Sequence, residues 1–144
     1  MLIGEYTHTM DPKKRLSLPS KWRKNLFKKV IMTRGLDNCL FLYDVKEWEK
    51  IAIKLASTSF ASKDARDINR FFLSSATEVD IDSAGRILIP DFLKEFAKLD
   101  EKVVLAGLYS RVEIWNETVW NAKQAEIASN ADVVAEKLQE VGMI

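Results

Sequence analysis

Short runs of apolar and β-branched residues, each closed by a turn signal, alternate with stretches in which the apolar positions shift to helical spacing. Leu2-Ile-Gly-Glu-Tyr-Thr-His-Thr-Met10 predicts a strand. Asp11-Pro-Lys-Lys predicts a turn, because Asp accepts from backbone amides ahead of it and Pro suits the next position. Arg15-Leu-Ser-Leu is a short strand. Pro19 then opens a helix to about Leu26, with Trp22 and Leu26 on one face. Val30-Ile-Met-Thr and Cys39-Leu-Phe-Leu-Tyr43 are strands joined through Gly35-Leu-Asp-Asn. Asp44-x-x-Glu47 reads as a capping box for a helix carrying Trp48, Ile51, Ala52 and Leu55. After the polar break Ser57–Ser62, a helix from about Asp64 to Ser74 puts Ile68, Phe71 and Phe72 on one side.

The pattern then starts again. Thr77–Ile81 is a strand, Asp82–Gly85 a turn and Arg86–Ile89 a strand; Pro90 opens a helix with Phe92, Leu93 and Phe96. Strands at Lys102–Leu105 and Arg111–Trp115 follow. Asn116 is an N-cap for a helix holding Val119 and Trp120, and the tail Ala131–Val141 carries Val134, Leu138 and Val141 at helical spacing. Asp11-Pro-Lys-Lys-Arg15-Leu-Ser-Leu-Pro19 is echoed by Asp82-Ser-Ala-Gly-Arg86-Ile-Leu-Ile-Pro90, an offset of 71 residues, and Trp48 is echoed by Trp120, an offset of 72. A period held over strands, turns and helices means duplication of a small unit. The expected units are residues 1–75, with a helical extension, and 76–144, with C-terminal helices. Trp48 and Trp120 are the expected anchors where helices pack on sheets.

At 144 residues, 47% hydrophobic and 30% charged, the chain is globular, with one good core or two small ones sharing an interface. No apolar run reaches the roughly 20 residues of a membrane helix, and the N-terminus lacks the features of a signal peptide. The expected location is the cytoplasm. The net charge of +1 conceals an asymmetry: residues 1–36 carry +7 and the remainder −6. The basic run begins in the repeated turn, continues into the segment behind it, and points to an anionic partner, nucleic acid first.

The chemistry follows from the same turns. An Arg leaving a turn beside Lys13 and Lys14 offers a bidentate fork for the O6 and N7 acceptors of guanine. A structural reading stands beside it: Asp caps the turn and Arg pairs with it across the bend. Other constellations are poor. One histidine, His8, and one cysteine, Cys39, assemble no zinc site, and Cys39 in its apolar setting is expected to be a buried thiol. Gly-rich phosphate loops and Ser-His-Asp arrangements are missing, so no cofactor is expected and the inventory argues against an enzyme.

On Asp11-x-x-x-Arg15-x-x-x-Pro19 and Asp82-x-x-Gly-Arg86-x-x-x-Pro90, with the hairpin strands and Trp positions behind each, the chain resembles the MraZ family over nearly its whole length. Each half of that family is similar to the AbrB/SpoVT swapped-hairpin DNA-binding domain. The resemblance implies an α+β fold of duplicated swapped-hairpin, double-psi-type β units with flanking helices. It also implies a bacterial transcriptional regulator of the division and cell wall gene cluster, nucleoid-associated, ring-shaped through self-association, and bound to direct repeats in double-stranded promoter DNA that includes its own promoter.

Carried over, the family's reading motif falls on Asp11, Arg15, Asp82 and Arg86. Lys13, Lys14, Lys21, Arg23, Lys24 and Ser83 complete the expected contact set. The family usually places Gly before the Arg, as Gly85 does, but the first copy has Lys14. A Lys tolerates positive φ poorly, so the first turn is expected to differ in shape and Arg15 to hold backbone more firmly than bases. Rival readings are an antitoxin-like protein-interaction module, an RNA-binding protein, and a small enzyme on a related double-psi barrel.

Overall fold

The two copies of the repeat are interleaved rather than laid side by side in the computed structural model, which describes all 144 residues. The chain runs β1 (Leu2–Thr9), β2 (Arg15–Ser17), β3 (Lys29–Arg34), β4 (Leu40–Asp44), α1 (Val45–Ala56), α2 (Lys63–Leu73), β5 (Thr77–Asp80), β6 (Arg86–Leu88), α3 (Asp91–Phe96), β7 (Lys102–Tyr109), β8 (Val112–Asn116) and α4 (Glu117–Glu140). Six strands form one antiparallel sheet in the order β1-β7-β8-β4-β3-β5, and β2 pairs with β6 in a separate two-stranded ribbon. Exchanging each strand for its copy leaves the sheet order unchanged, so a pseudo-twofold axis passes between β4 and β8 through the Phe41–Glu113 pair. The same axis passes through the Leu16–Ile87 pair of the ribbon. β1 of the first copy lies on β7 of the second, and β5 of the second lies on β3 of the first. The fold is therefore α+β, built from duplicated swapped-hairpin units with flanking helices.

The central strands are buried on both faces, which is why β4 and β8 read as continuous apolar runs. Leu40, Leu42, Val112 and Ile114 face the larger core, which the ribbon closes with Leu16, Leu18, Ile87 and Ile89, joined by Trp22, Leu26 and Leu93. Phe41, Tyr43 and Trp115 face the other way, where Trp120 and the half-buried Trp48, Ile51 and Phe72 cover them. Trp48 packs on Tyr43 with ring centroids 5.6 Å apart, and Trp120 on Trp115 at 5.4 Å, so both tryptophans anchor helices to the sheet as their spacing predicts. Cys39 is fully buried, donates to the Leu36 carbonyl and is pushed up in pKa by that burial. Gly107 is required by the swap: a Cβ there would lie 2.7–2.9 Å from backbone atoms of Leu2 and Ile3 on β1.

Three expectations are corrected. The segment after Pro19 forms only a 3₁₀ turn, Ser20–Trp22, whereas its copy is the helix α3. The difference has a local cause. α3 has Asp91 in its first turn, favoured by the helix dipole, while the first copy has no acidic residue there and crowds Lys21, Arg23 and Lys24 together. Trp22 and Leu26 are nevertheless buried together.

The Asp44 box is not formed: Asp44 makes no side-chain bond to α1, and Glu47 accepts from Lys50 instead. Asn116 does cap α4, accepting from the Val119 amide, and Ser62 caps α2. Finally, the tail is not a separate helix but the continuation of α4, in which only Trp120 is buried; Val134 and Val141 are exposed.

Candidate nucleic-acid interface

The two Asp-x-x-x-Arg turns are built the same way, bond for bond. Asp11 Oδ1 accepts from the backbone amides of Lys13 (2.9 Å) and Arg15 (2.8 Å), and Oδ2 accepts from Arg15 Nε at 2.7 Å. Asp82 Oδ1 accepts from Ala84 and Arg86 amides, both at 2.9 Å, and Oδ2 from Arg86 Nε at 2.9 Å. The Arg15 and Arg86 amides hold both carboxyls below the usual carboxylate range; desolvation opposes them, and the arginine side chains add to the lowering. Asp therefore has the structural role anticipated for it, and it also orients the Arg. Only Nε is used in each pair, so the terminal amino groups of both guanidiniums have no partner within the chain. The two arginines are equally placed, with side chains 33% and 34% exposed.

The expectation that Lys14 gives the first turn a different shape is overturned. Lys14 has φ 63° and Gly85 has φ 78°, both left-handed. The fold over-determines this conformation. The Lys14 carbonyl accepts from the Ile89 amide and the Gly85 carbonyl from the Leu18 amide, both at 2.9 Å, so each turn locks onto the other unit's strand. Lys14 Nζ also pairs with Asp91, a residue that the motif spacing does not single out. At Gly85 the missing side chain leaves room for Arg23, whose guanidinium takes the place a Cβ would fill, and Arg23 donates to the Ala84 carbonyl at 3.1 Å.

The register of the ribbon sets the face. Arg15 is opposite Leu88, Leu16 opposite Ile87, and Ser17 opposite Arg86. Leu16 and Ile87 are fully buried, and side chains alternate along a strand, so Arg15, Ser17, Arg86 and Leu88 share the outer face. Arg15 and Arg86 are diagonal neighbours across the pair, about 7–8 Å apart. Lys13, Lys21 and Lys24 are exposed and enter no ion pair, while Arg23 is committed to bracing the second turn. Ser83 is exposed on the second turn. No three His, Cys, Asp or Glu side chains cluster as a metal site, and no helix is long and apolar enough to cross a membrane.

A family model described as "MraZ protein, putative antitoxin-like" matches residues 1–71 and again 72–141. The chain belongs to the MraZ family. Among its relatives, a protein named transcriptional regulator MraZ from Caldicellulosiruptor saccharolyticus is 46% identical over 99% of this chain and the whole of the relative. Proteins of the same name from Thermoanaerobacter sp. (46%; 97% of this chain, 95% of the relative) and Acetivibrio thermocellus (43%; 99% and 100%) are similar over comparable spans. The two matched halves each supply one turn and one ribbon strand, so the MraZ repeat is also the repeat of the candidate interface.

The turn geometry of this MraZ family member sets the outcome of two substitutions. Gly85→Ala places a Cβ in the left-handed region and ejects Arg23, so thermal unfolding should report a loss of about 1–2 kcal/mol. Lys14→Ala leaves an existing left-handed side-chain residue as strained as before and removes only an exposed ion pair, so it should change stability little.

Acid should act on the same turns. Asp11 and Asp82 have pKa values lowered from 3.8, so the stabilisation their ionised forms contribute is present above that value and lost as pH falls through the lowered one. The melting temperature of the wild type should drop between about pH 5 and about pH 2, and Asp11→Asn, Asp82→Asn should start lower and fall less over that window.

Proposed function

We propose that the chain regulates transcription by sequence-specific binding of duplex DNA through the outer face of the β2–β6 ribbon. The observation that carries this reading is the pairing of two identically held arginines on one exposed face, each with a free guanidinium edge. A two-stranded ribbon fits a major groove, and an Arg fork matches the O6 and N7 of guanine. Arg15 and Arg86 read bases, Lys13, Lys14, Lys21 and Lys24 hold phosphates, and Asp11 and Asp82 orient the arginines. Arg23 acts mainly by fixing the second turn, and Ser83 contacts backbone beside it.

The target within this reading is a set of closely spaced direct repeats upstream of the division and cell wall gene cluster, the chain's own promoter included. The protein acts as a nucleoid-associated, cytoplasmic ring of identical chains, each made of the units 1–75 and 76–144. The apolar residues Ile127 and Val134, exposed along α4, and Val141, exposed at its C-cap, support self-association; a head-to-tail contact whose rotation closes gives a ring. A single ribbon covers few base pairs, so affinity depends on several protomers engaging repeats together. No enzymatic step belongs to this reading.

Fluorescence anisotropy on duplex DNA from upstream of the chain's own gene, against a scrambled duplex across a salt series, tests it. Tighter binding to the native duplex, with a steep salt slope for both, is expected. Equal weak binding to both overturns sequence-specific reading and favours the antitoxin-like interaction module, and preference for a competing RNA overturns the duplex assignment.

A further inference from the structure

The outer face of the ribbon is symmetric in its arginines and asymmetric in everything beside them. The axis that exchanges Arg15 with Arg86 exchanges Ser17 with Leu88, since Arg15 stands opposite Leu88 and Arg86 opposite Ser17. Residues directly opposite in an antiparallel pair have Cβ atoms about 4.5–5.5 Å apart. One arginine is thus flanked by an isobutyl group and the other by a hydroxymethyl.

Leu88 is 56% exposed, and Lys13 and Lys14 line the recess beside it. The fold does not call for an apolar side chain there, because the equivalent position is filled by Ser17 on a turn of the same geometry. A recess of about 490 Å³ opens beside Leu88, walled by Pro12, Lys13, Lys14, Ile89, Pro90 and Asp91, the last paired with Lys14. At the other end, Arg23 lies over Gly85 and puts a guanidinium where a matching recess would be.

Resting on the DNA-binding reading, we infer that Leu88 is a specificity-determining residue: it takes the 5-methyl group of a thymine next to the guanine engaged by Arg15, while the Arg86 end has no equivalent thymine contact. Thymine is the one base that offers an apolar group in the major groove, and a leucine at a base edge discriminates by that methyl alone. The consequence is a recognition surface with polarity. Two equivalent arginines would read two equivalent half-sites; Leu88 against Ser17 makes the halves different, so the preferred sequence is not its own inverted repeat.

The test removes one methyl group at a time. A duplex is selected by the wild-type chain from a randomised pool, and each thymine in it is replaced singly by deoxyuridine, which differs only in lacking the 5-methyl. Wild type should lose about fourfold in affinity at one thymine beside a guanine, the effect of one apolar carbon kept from water. Leu88→Ser, whose side chain the fold already accepts at the equivalent position, should bind the two duplexes equally at that site. The assignment is overturned if no thymine is sensitive, or if Leu88→Ser keeps the wild-type sensitivity at the same position. A wild-type chain that enriches no sequence from the pool defeats the DNA-binding reading beneath it, a result distinct from either.

Discussion

Replacing Arg15 and Arg86 together by alanine should erase the preference for native over scrambled duplex while leaving the salt-dependent background. Each bidentate arginine–guanine contact is worth about 1–3 kcal/mol of discrimination, so the double variant should lose between about 2 and 6 kcal/mol on the native duplex and much less on the scrambled one. The singles need not sum to the double, because the two side chains are diagonal neighbours on one ribbon face. They should, however, be close to one another. Both arginines donate Nε to their Asp, at 2.7 and 2.9 Å, and both are about one-third exposed, so the fork at Lys14-Arg15 is held and presented like the one at Gly85-Arg86.

The fold should survive, since each Asp keeps its two backbone bonds when the guanidinium is removed. Lys21→Ala with Lys24→Ala is the contrasting experiment. It should weaken both duplexes alike and flatten the salt slope by about one unit for each phosphate no longer neutralised. Undiminished preference in the double arginine variant would remove the turns from the recognition mechanism.

The repeat carried most of the fold into view because it records a symmetry. The offset of 71 residues places Leu16 on Ile87, Trp22 on Leu93 and Arg15 on Arg86, and these pairs are equivalent in space. The sequence alone could not show which strands pair. β1 lies on β7 and β5 on β3, pairings between residues far apart in the chain that local periodicity does not encode.

The geometry of the candidate site is legible in its arginines and carboxylates, where the spacing of four matches the bend. Lys14 departs from what its residue type predicts, because the bond from the Ile89 amide to the Lys14 carbonyl imposes the left-handed conformation from outside the turn. Leu88 and Asp91 carry no signal in the sequence for a related reason: Leu88 stands beside Arg15 only through the ribbon register, and Asp91 meets Lys14 only through the fold. The failed helix after Pro19 is a case of charge deciding between two copies with the same apolar spacing.

Trp22→Ala should be the most destabilising single change near the interface. The indole is fully buried, meets the Tyr6 ring edge-on at 5.1 Å and donates Nε1–H to the Ile3 carbonyl at 3.2 Å. Truncating a buried tryptophan to alanine costs about 3–5 kcal/mol, from the apolar surface no longer buried and the cavity left behind. Against a total of about 5–15 kcal/mol for a domain this is a large fraction, and the melting temperature should fall by roughly 6–20 °C.

The same change should reach the outer face of the ribbon. Trp22 pins the 3₁₀ turn, and the next residue, Arg23, is the one whose guanidinium rests over Gly85 and holds the Ala84 carbonyl. With the indole gone, that brace loses its footing, and the second turn is affected before the first, whose Lys14 is tied to Asp91 on α3 instead. Measured well below its own melting temperature, Trp22→Ala should therefore lose more of the Arg86-dependent discrimination than of the Arg15-dependent part, a split resolved by combining it with each arginine variant in turn. Equal losses on the two sides would mean that the core supports the ribbon as a whole and that Arg23 transmits nothing specific to the turn it touches.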